Sequence, residues 1–100
     1  AEIRASGGSG IAVSDDAILS AISGLAGTTG VFAEPAGAAA LAGLEAALAE
    51  GLVNRDERVV LMITGTGLKD VDAAAGGMPP LETVEVSLDA VAERIRKLRF

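Results

Sequence analysis

Two glycines flank a threonine in MITGTGLKD, Met62 to Asp70, where an apolar run stops and Lys69 and Asp70 follow. Small residues at the end of such a run form a rim that a ligand can approach closely, with charge at hand just beyond. A second stretch, AEPAGAA from Ala33 to Ala39, leads through Glu34 and Pro35 into a helix start. Ligands in open α/β sheets gather beyond the carboxyl ends of strands, where helix N-termini and loop amides point. A carboxylate and a hydroxyl could therefore share one rim.

The chemistry open to that rim is narrow. The sequence has neither His nor Cys, which removes Ser-His and Cys-His nucleophile pairs, imidazole or thiolate metal sites and disulfides. Proton transfer falls to Asp, Glu and Lys. Gly65 and Gly67 do not make a dinucleotide loop, because Asp70 stands where a third small residue is required. The amides of SGGSG at 6–10 could wrap a phosphate, but a flexible loop is the preferred reading. Lys69 reads as an ordinary lysine beside Asp70 rather than as a nucleophile.

Charge excludes further classes. Fourteen acidic against eight basic residues give a net charge of -6, which repels a polyanion. Half of the basic residues, Arg94, Arg96, Lys97 and Arg99, cluster at the end, where cations offset the negative pole of a terminal helix. With no Trp or Tyr to stack on bases or anchor at a bilayer, neither nucleic acid nor membrane is expected as a partner. No apolar stretch approaches the roughly 20 residues of a bilayer span, and the expected location is cytoplasmic.

The elements that must position the rim follow from pattern. AEIRASGGSG at 1–10 reads as a loop or severed connection, and residues 11–100 as a single α/β unit. A short strand at 11–13 precedes a helix capped by Ser14, with Asp15 and Asp16 in its first turn and Gly27 and Gly30 at its end. VFAEP at 31–35 reads as a strand, and Pro35 opens an Ala-rich helix with a Leu41, Leu44, Leu48 stripe. VVLMI at 59–63 has the unbroken apolarity of a strand covered on both faces. A Gly/Pro-rich connection, an alternating strand ETVEVSL and a helix with Leu88, Val91, Ala92, Ile95 and Leu98 on one side complete the order β-α-β-α-β-loop-β-α. A mainly parallel sheet with flanking helices is the expected fold.

Four segments in order, AVSDDAIL (12–19), GVFAEPAGAAALAGL (30–44), GLVNRDERVV (51–60) and ITGTGLKD (63–70), resemble the late part of threonine synthases. These are members of the tryptophan-synthase-β-like family, fold type II of the pyridoxal-phosphate enzymes. The resemblance implies a C-terminal portion of a lyase that converts O-phosphohomoserine and water to threonine and phosphate by β,γ-replacement. It implies that Thr64 meets the pyridine nitrogen of pyridoxal 5'-phosphate, that Glu34 lies near the ring, and that Gly65 lets the backbone pass close to it. Lys69 and Asp70 are expected to brace the loop.

The same resemblance places the Schiff-base lysine and the phosphate loop upstream of these 100 residues, so no catalytic lysine is assigned here and the chain alone is expected to be inactive. Its expected partner is the missing N-terminal part of the enzyme. Half the residues are hydrophobic before 13 glycines are counted, an excess that suggests faces covered by that part, or by self-association. Two alternatives stay open: a serine or threonine dehydratase fragment, and a non-catalytic α/β module that binds a partner through its Ala-rich helix. Ala17 stands where relatives commonly have Glu, which forgoes half of a capping box.

Overall fold

In the computed structural model, which describes residues 2–78, 80 and 82–98, five helices and one 3₁₀ turn make up the regular structure. Helix α1 is a single turn, Glu2–Ala5, inside the segment read as a loop. Helix α2, Asp15–Thr29, starts where Ser14 Oγ accepts from the Ala17 amide at 3.2 Å and stops at Gly30. Gly30 takes φ 74°, a left-handed conformation that costs glycine little and lets its N–H reach the Ala26 carbonyl. Helix α3, Pro35–Ala49, opens on proline, whose missing N–H would have been unsatisfied there in any case.

The core lies between α2 and α3. Ala21, Ile22 and Leu25 of α2 meet Ala38 and Ala42 of α3, and Ala33 and Ala74 close the cluster. Alanine and glycine at the contact let the helices approach closely, with Gly37, Ala38, Ala42 and Ala47 as the buried row of α3. Leu41, Leu44 and Leu48 are half-buried and border that row instead of forming it. Ile22, 1% exposed, is the large side chain at the centre, and its burial contributes about 2–3 kcal/mol by transfer alone.

The mainly parallel α/β sheet expected from the sequence does not form. Among the described residues there is no strand, and the segments at 11–13, 31–35, 59–63 and 82–88 carry no ladder. One isolated antiparallel bridge joins Ala33 to Thr66. A strand persists where a neighbour takes up its N–H and C=O groups, and across this bridge two bonds do so: Glu34 N–H to Gly65 O and Gly67 N–H to Phe32 O, both 3.0 Å. The stretch expected to be covered on both faces is covered on one. Leu61, Ile63 and Gly65 are half-buried, while Val60, Met62, Thr64 and Thr66 are exposed.

Beyond the bridge the chain tightens into the 3₁₀ turn Gly67–Lys69 and then α4, Val71–Gly76, whose N-cap Asp70 accepts from the Ala73 amide at 3.1 Å. Helix α5, Leu88–Lys97, is capped by Ser87 and buries none of its residues. Its apolar side exists but faces solvent, with Leu88 90% and Ile95 55% exposed. Arg94 reaches back to Glu82 at 2.9 Å, and Lys97 pairs with Glu93 at 2.7 Å. Arg94, Arg96 and Lys97 sit in the last turn as the dipole argument requires; Arg99 lies outside the described residues. The chain is elongated, with a radius of gyration of 17.9 Å against about 13 Å for a compact domain of this length. Among the described residues no helix is long and apolar enough to cross a membrane.

Candidate functional site

The bridge that pairs Ala33 with Thr66 also sets two glycines opposite two large side chains. Gly67 stands across from Phe32 and Gly65 across from Glu34, so F-A-E on one segment meets G-T-G on the other. A Cβ on Gly67 would lie 2.5 Å from the Phe32 ring, and one on Gly65 would fall within the Glu34 carboxylate. The space beside each glycine is thus already filled, at Gly67 by a ring and at Gly65 by the tip of a flexible side chain. The Ala33 side, fully buried, takes the middle position.

Glu34 is the hinge of this arrangement. Its amide donates to Gly65, its carbonyl accepts from Ala38 at 2.9 Å, and Pro35 fixes the backbone that follows. Its side chain, 18% exposed, forms an ion pair with Lys69, Nζ to Oε2 3.4 Å. The first turn of α3 packs directly on the rim, since a Cβ on Gly37 would stand 3.1 Å from Ile63 Cγ2 and 3.4 Å from the Thr64 amide nitrogen. Thr66 Oγ1 accepts from Leu68 N–H at 3.4 Å and starts the turn that carries Lys69 to Glu34.

The structure thus brings Glu34, Gly65 and Lys69 together. Thr64 adjoins Gly65 in the chain but belongs to the exposed row, and among the described residues its hydroxyl has no hydrogen-bond partner. A neutral hydroxyl in that state has a donor free for a ring nitrogen, and the Glu34 carboxylate fills the space over Gly65 beside it. The donor set fits a group with such a nitrogen. SGGSG at 6–10 lies apart from these residues in an exposed segment, where Gly8 N–H bonds to Ile3 O at 2.8 Å.

Sequence reading did not anticipate the Glu34–Lys69 ion pair or the Phe32–Gly67 contact. A signal for the second was present: large, small, large in F-A-E and small, large, small in G-T-G are complementary when the two segments run antiparallel.

Comparison with known proteins decides the family. The pyridoxal-phosphate dependent enzyme family matches residues 1–65. The chain belongs to that family. It is 41% identical over 96 residues to the threonine synthase of Methanocaldococcus jannaschii, covering 96% of this chain and 24% of that protein. It is 46% identical over 85 residues to the threonine synthase of Mycobacterium tuberculosis strain H37Rv, 85% of this chain and 24% of that protein. With the threonine synthase of Methanosarcina acetivorans the figures are 40% over 93 residues, 93% and 23%. This pyridoxal-phosphate family chain therefore spans about a quarter of the length of the curated relatives it matches.

Proposed function

We propose that this chain forms the ring-nitrogen rim of a threonine synthase, within an enzyme that converts O-phosphohomoserine and water to threonine and phosphate. The observation that carries the reading is the unpaired, exposed hydroxyl of Thr64 beside Gly65, in a chain 40–46% identical to threonine synthases over most of its length. Bound pyridoxal phosphate supplies the electron sink for such β,γ-replacement. The Thr64 hydroxyl would donate a hydrogen bond to the ring nitrogen, and such a neutral donor would leave that nitrogen unprotonated more readily than a carboxylate. Gly65, lacking a Cβ, leaves the Glu34 carboxylate room to lie beside the ring. Glu34, pinned at the start of α3, supplies that carboxylate.

The lysine that tethers the cofactor and the loop that holds its phosphate come from sequence outside these residues. That sequence also covers the exposed row of Val60 and Met62, 92% and 76% accessible here. The whole enzyme acts in the cytoplasm.

The test is phosphate release from O-phosphohomoserine by the full-length protein carrying this sequence, in wild type, Thr64→Ser and Thr64→Val. Serine keeps the hydroxyl and retains activity; valine removes it and costs about a hundredfold in kcat, the scale of losing one oriented donor. Wild-type rates in Thr64→Val, or no turnover of this substrate by the unmodified protein, would overturn the reading.

A further inference from the structure

Among the described N-cap residues, Glu34 behaves unlike the others. Ser14, Asp70 and Ser87 each turn a side-chain oxygen onto a backbone N–H of the helix that follows, and Thr66 does so for the 3₁₀ turn. Glu34 occupies the same position in α3 and makes no such bond. Its carboxylate is directed over Gly65 and against Lys69, where it is 18% exposed. Something other than helix capping fixes its direction.

Lys69 is the group that does so. Its ammonium is 3.4 Å from Glu34 Oε2, and its own side chain is 63% exposed. An ion pair with so exposed a partner is screened by water and adds little to stability. Orientation is what the pair can supply, because the Glu34 backbone is already fixed at N–H, C=O and the following proline, leaving only the side-chain torsions free. Lys69 is itself placed by the turn in which its amide bonds to Thr66 O at 3.1 Å and Asp70 N–H bonds to Gly67 O at 3.1 Å.

We infer that Lys69 is a positioning residue whose ion pair holds the Glu34 carboxylate over Gly65, at the edge of the cofactor ring. This rests on the proposed placement of the ring at Thr64 and Gly65. Lys69 acts through Glu34 and does not touch substrate. Without it the carboxylate is free to swing to the unsatisfied amides of the α3 N-terminus, away from the rim.

The experiment is a double-mutant cycle in the full-length enzyme, using Lys69→Met, Glu34→Gln and the pair, with Lys69→Arg as the conservative variant. Phosphate release gives kcat and KM, and the visible absorbance of added pyridoxal phosphate reports the ring environment. Lys69→Met lowers kcat about tenfold or more, the scale of a misplaced group, with KM within about twofold. Lys69→Arg restores most of it. In the Glu34→Gln background, Lys69→Met has no further effect on kcat or on the absorbance.

A lysine that merely braces the loop would give equal losses in both backgrounds and would overturn the inference, as would wild-type kcat in Lys69→Met. Wild-type kcat and absorbance in Glu34→Gln would instead remove Glu34 from the ring edge. Loss in Thr64→Val beside a silent Lys69→Met keeps the rim and rejects the positioning role, so the two ideas fail separately.

Discussion

The ring of Phe32 occupies the position where a side chain on Gly67 would begin, 2.5 Å from the nearest ring carbons, while the Gly67 amide donates to the Phe32 carbonyl. The backbone bond fixes the spacing of the two segments, and swinging the ring aside would give up its packing against the core. Gly67→Ala forces the two segments apart and is expected to cost about 1–3 kcal/mol. Thermal melting of the protein with Gly43→Ala as control checks this, since a Cβ on helical Gly43 meets nothing within 4 Å and should stabilise by about 0.5–1 kcal/mol. Equal melting temperatures for the two variants would contradict it.

Gly65→Ala looks similar on paper and should behave differently. The atoms in its way are the tip of the Glu34 side chain, not ring or backbone, and a flexible tip can move. The fold should survive with a stability change under about 1 kcal/mol, in the ordinary range for a change whose neighbours can give way. The Glu34–Lys69 pairing should not survive. A crystal structure of the variant with the ion pair intact would refute this.

Ile22 is the large, fully buried side chain of a core in which five of the seven buried residues are alanine, a residue with little reach to close a gap. Ile22→Ala is expected to cost about 2–5 kcal/mol. Urea titration should show a lower midpoint, while Ile22→Val should lose only about 0.5–1.5 kcal/mol. A midpoint shift no larger for alanine than for valine would mean the core closes over the cavity.

The turn after α3 carries a pH signature. Glu57 Oε1 accepts from the Asn54 backbone amide at 3.0 Å and from its side-chain amide at 2.7 Å, and these bonds, the backbone one first, hold the Glu57 carboxyl below its ordinary value. A depressed folded value means the stabilisation is present at neutral pH and is lost as pH falls through that lowered value. Asn54→Ala removes the side-chain donor alone, so the carboxyl should move part of the way back up. Carboxyl carbon chemical shifts followed against pH would show the rise; an unchanged midpoint would exclude the side-chain contribution.

Helices α2, α3 and α5 were legible because their signals are local, whereas the short α1 and α4 fall in stretches read as a loop and a connection. Ser14, Asp15 and Gly30 bound α2, and Pro35 opens α3, through contacts within one turn of the residues themselves. The sheet was misread because a strand is completed by residues elsewhere. VVLMI has the composition of a covered strand, yet Val60 and Met62 face solvent and find no ladder among the described residues. The rim was legible in part. Glu34 and Gly65 do come together, but the lysine that joins them was read as a general brace, since nothing in L-K-D says which carboxylate an ammonium will choose. In α3, apolar on most faces, periodicity does not tell contact row from border, and the smallest residues took the contact while Leu41, Leu44 and Leu48 border it.

Alignment between the 31–34 segment and the 63–67 segment rests on the Ala33–Thr66 bridge and the two bonds beside it. Sliding one segment by a single residue would set Phe32 or Glu34 against a threonine methyl, and the exposed and half-buried rows would trade places. Leu61 and Ile63 would then turn to water while Thr64 turned inward. Bulk opposite each glycine thus works as a molecular key, admitting one alignment and rejecting its neighbours before any ligand arrives.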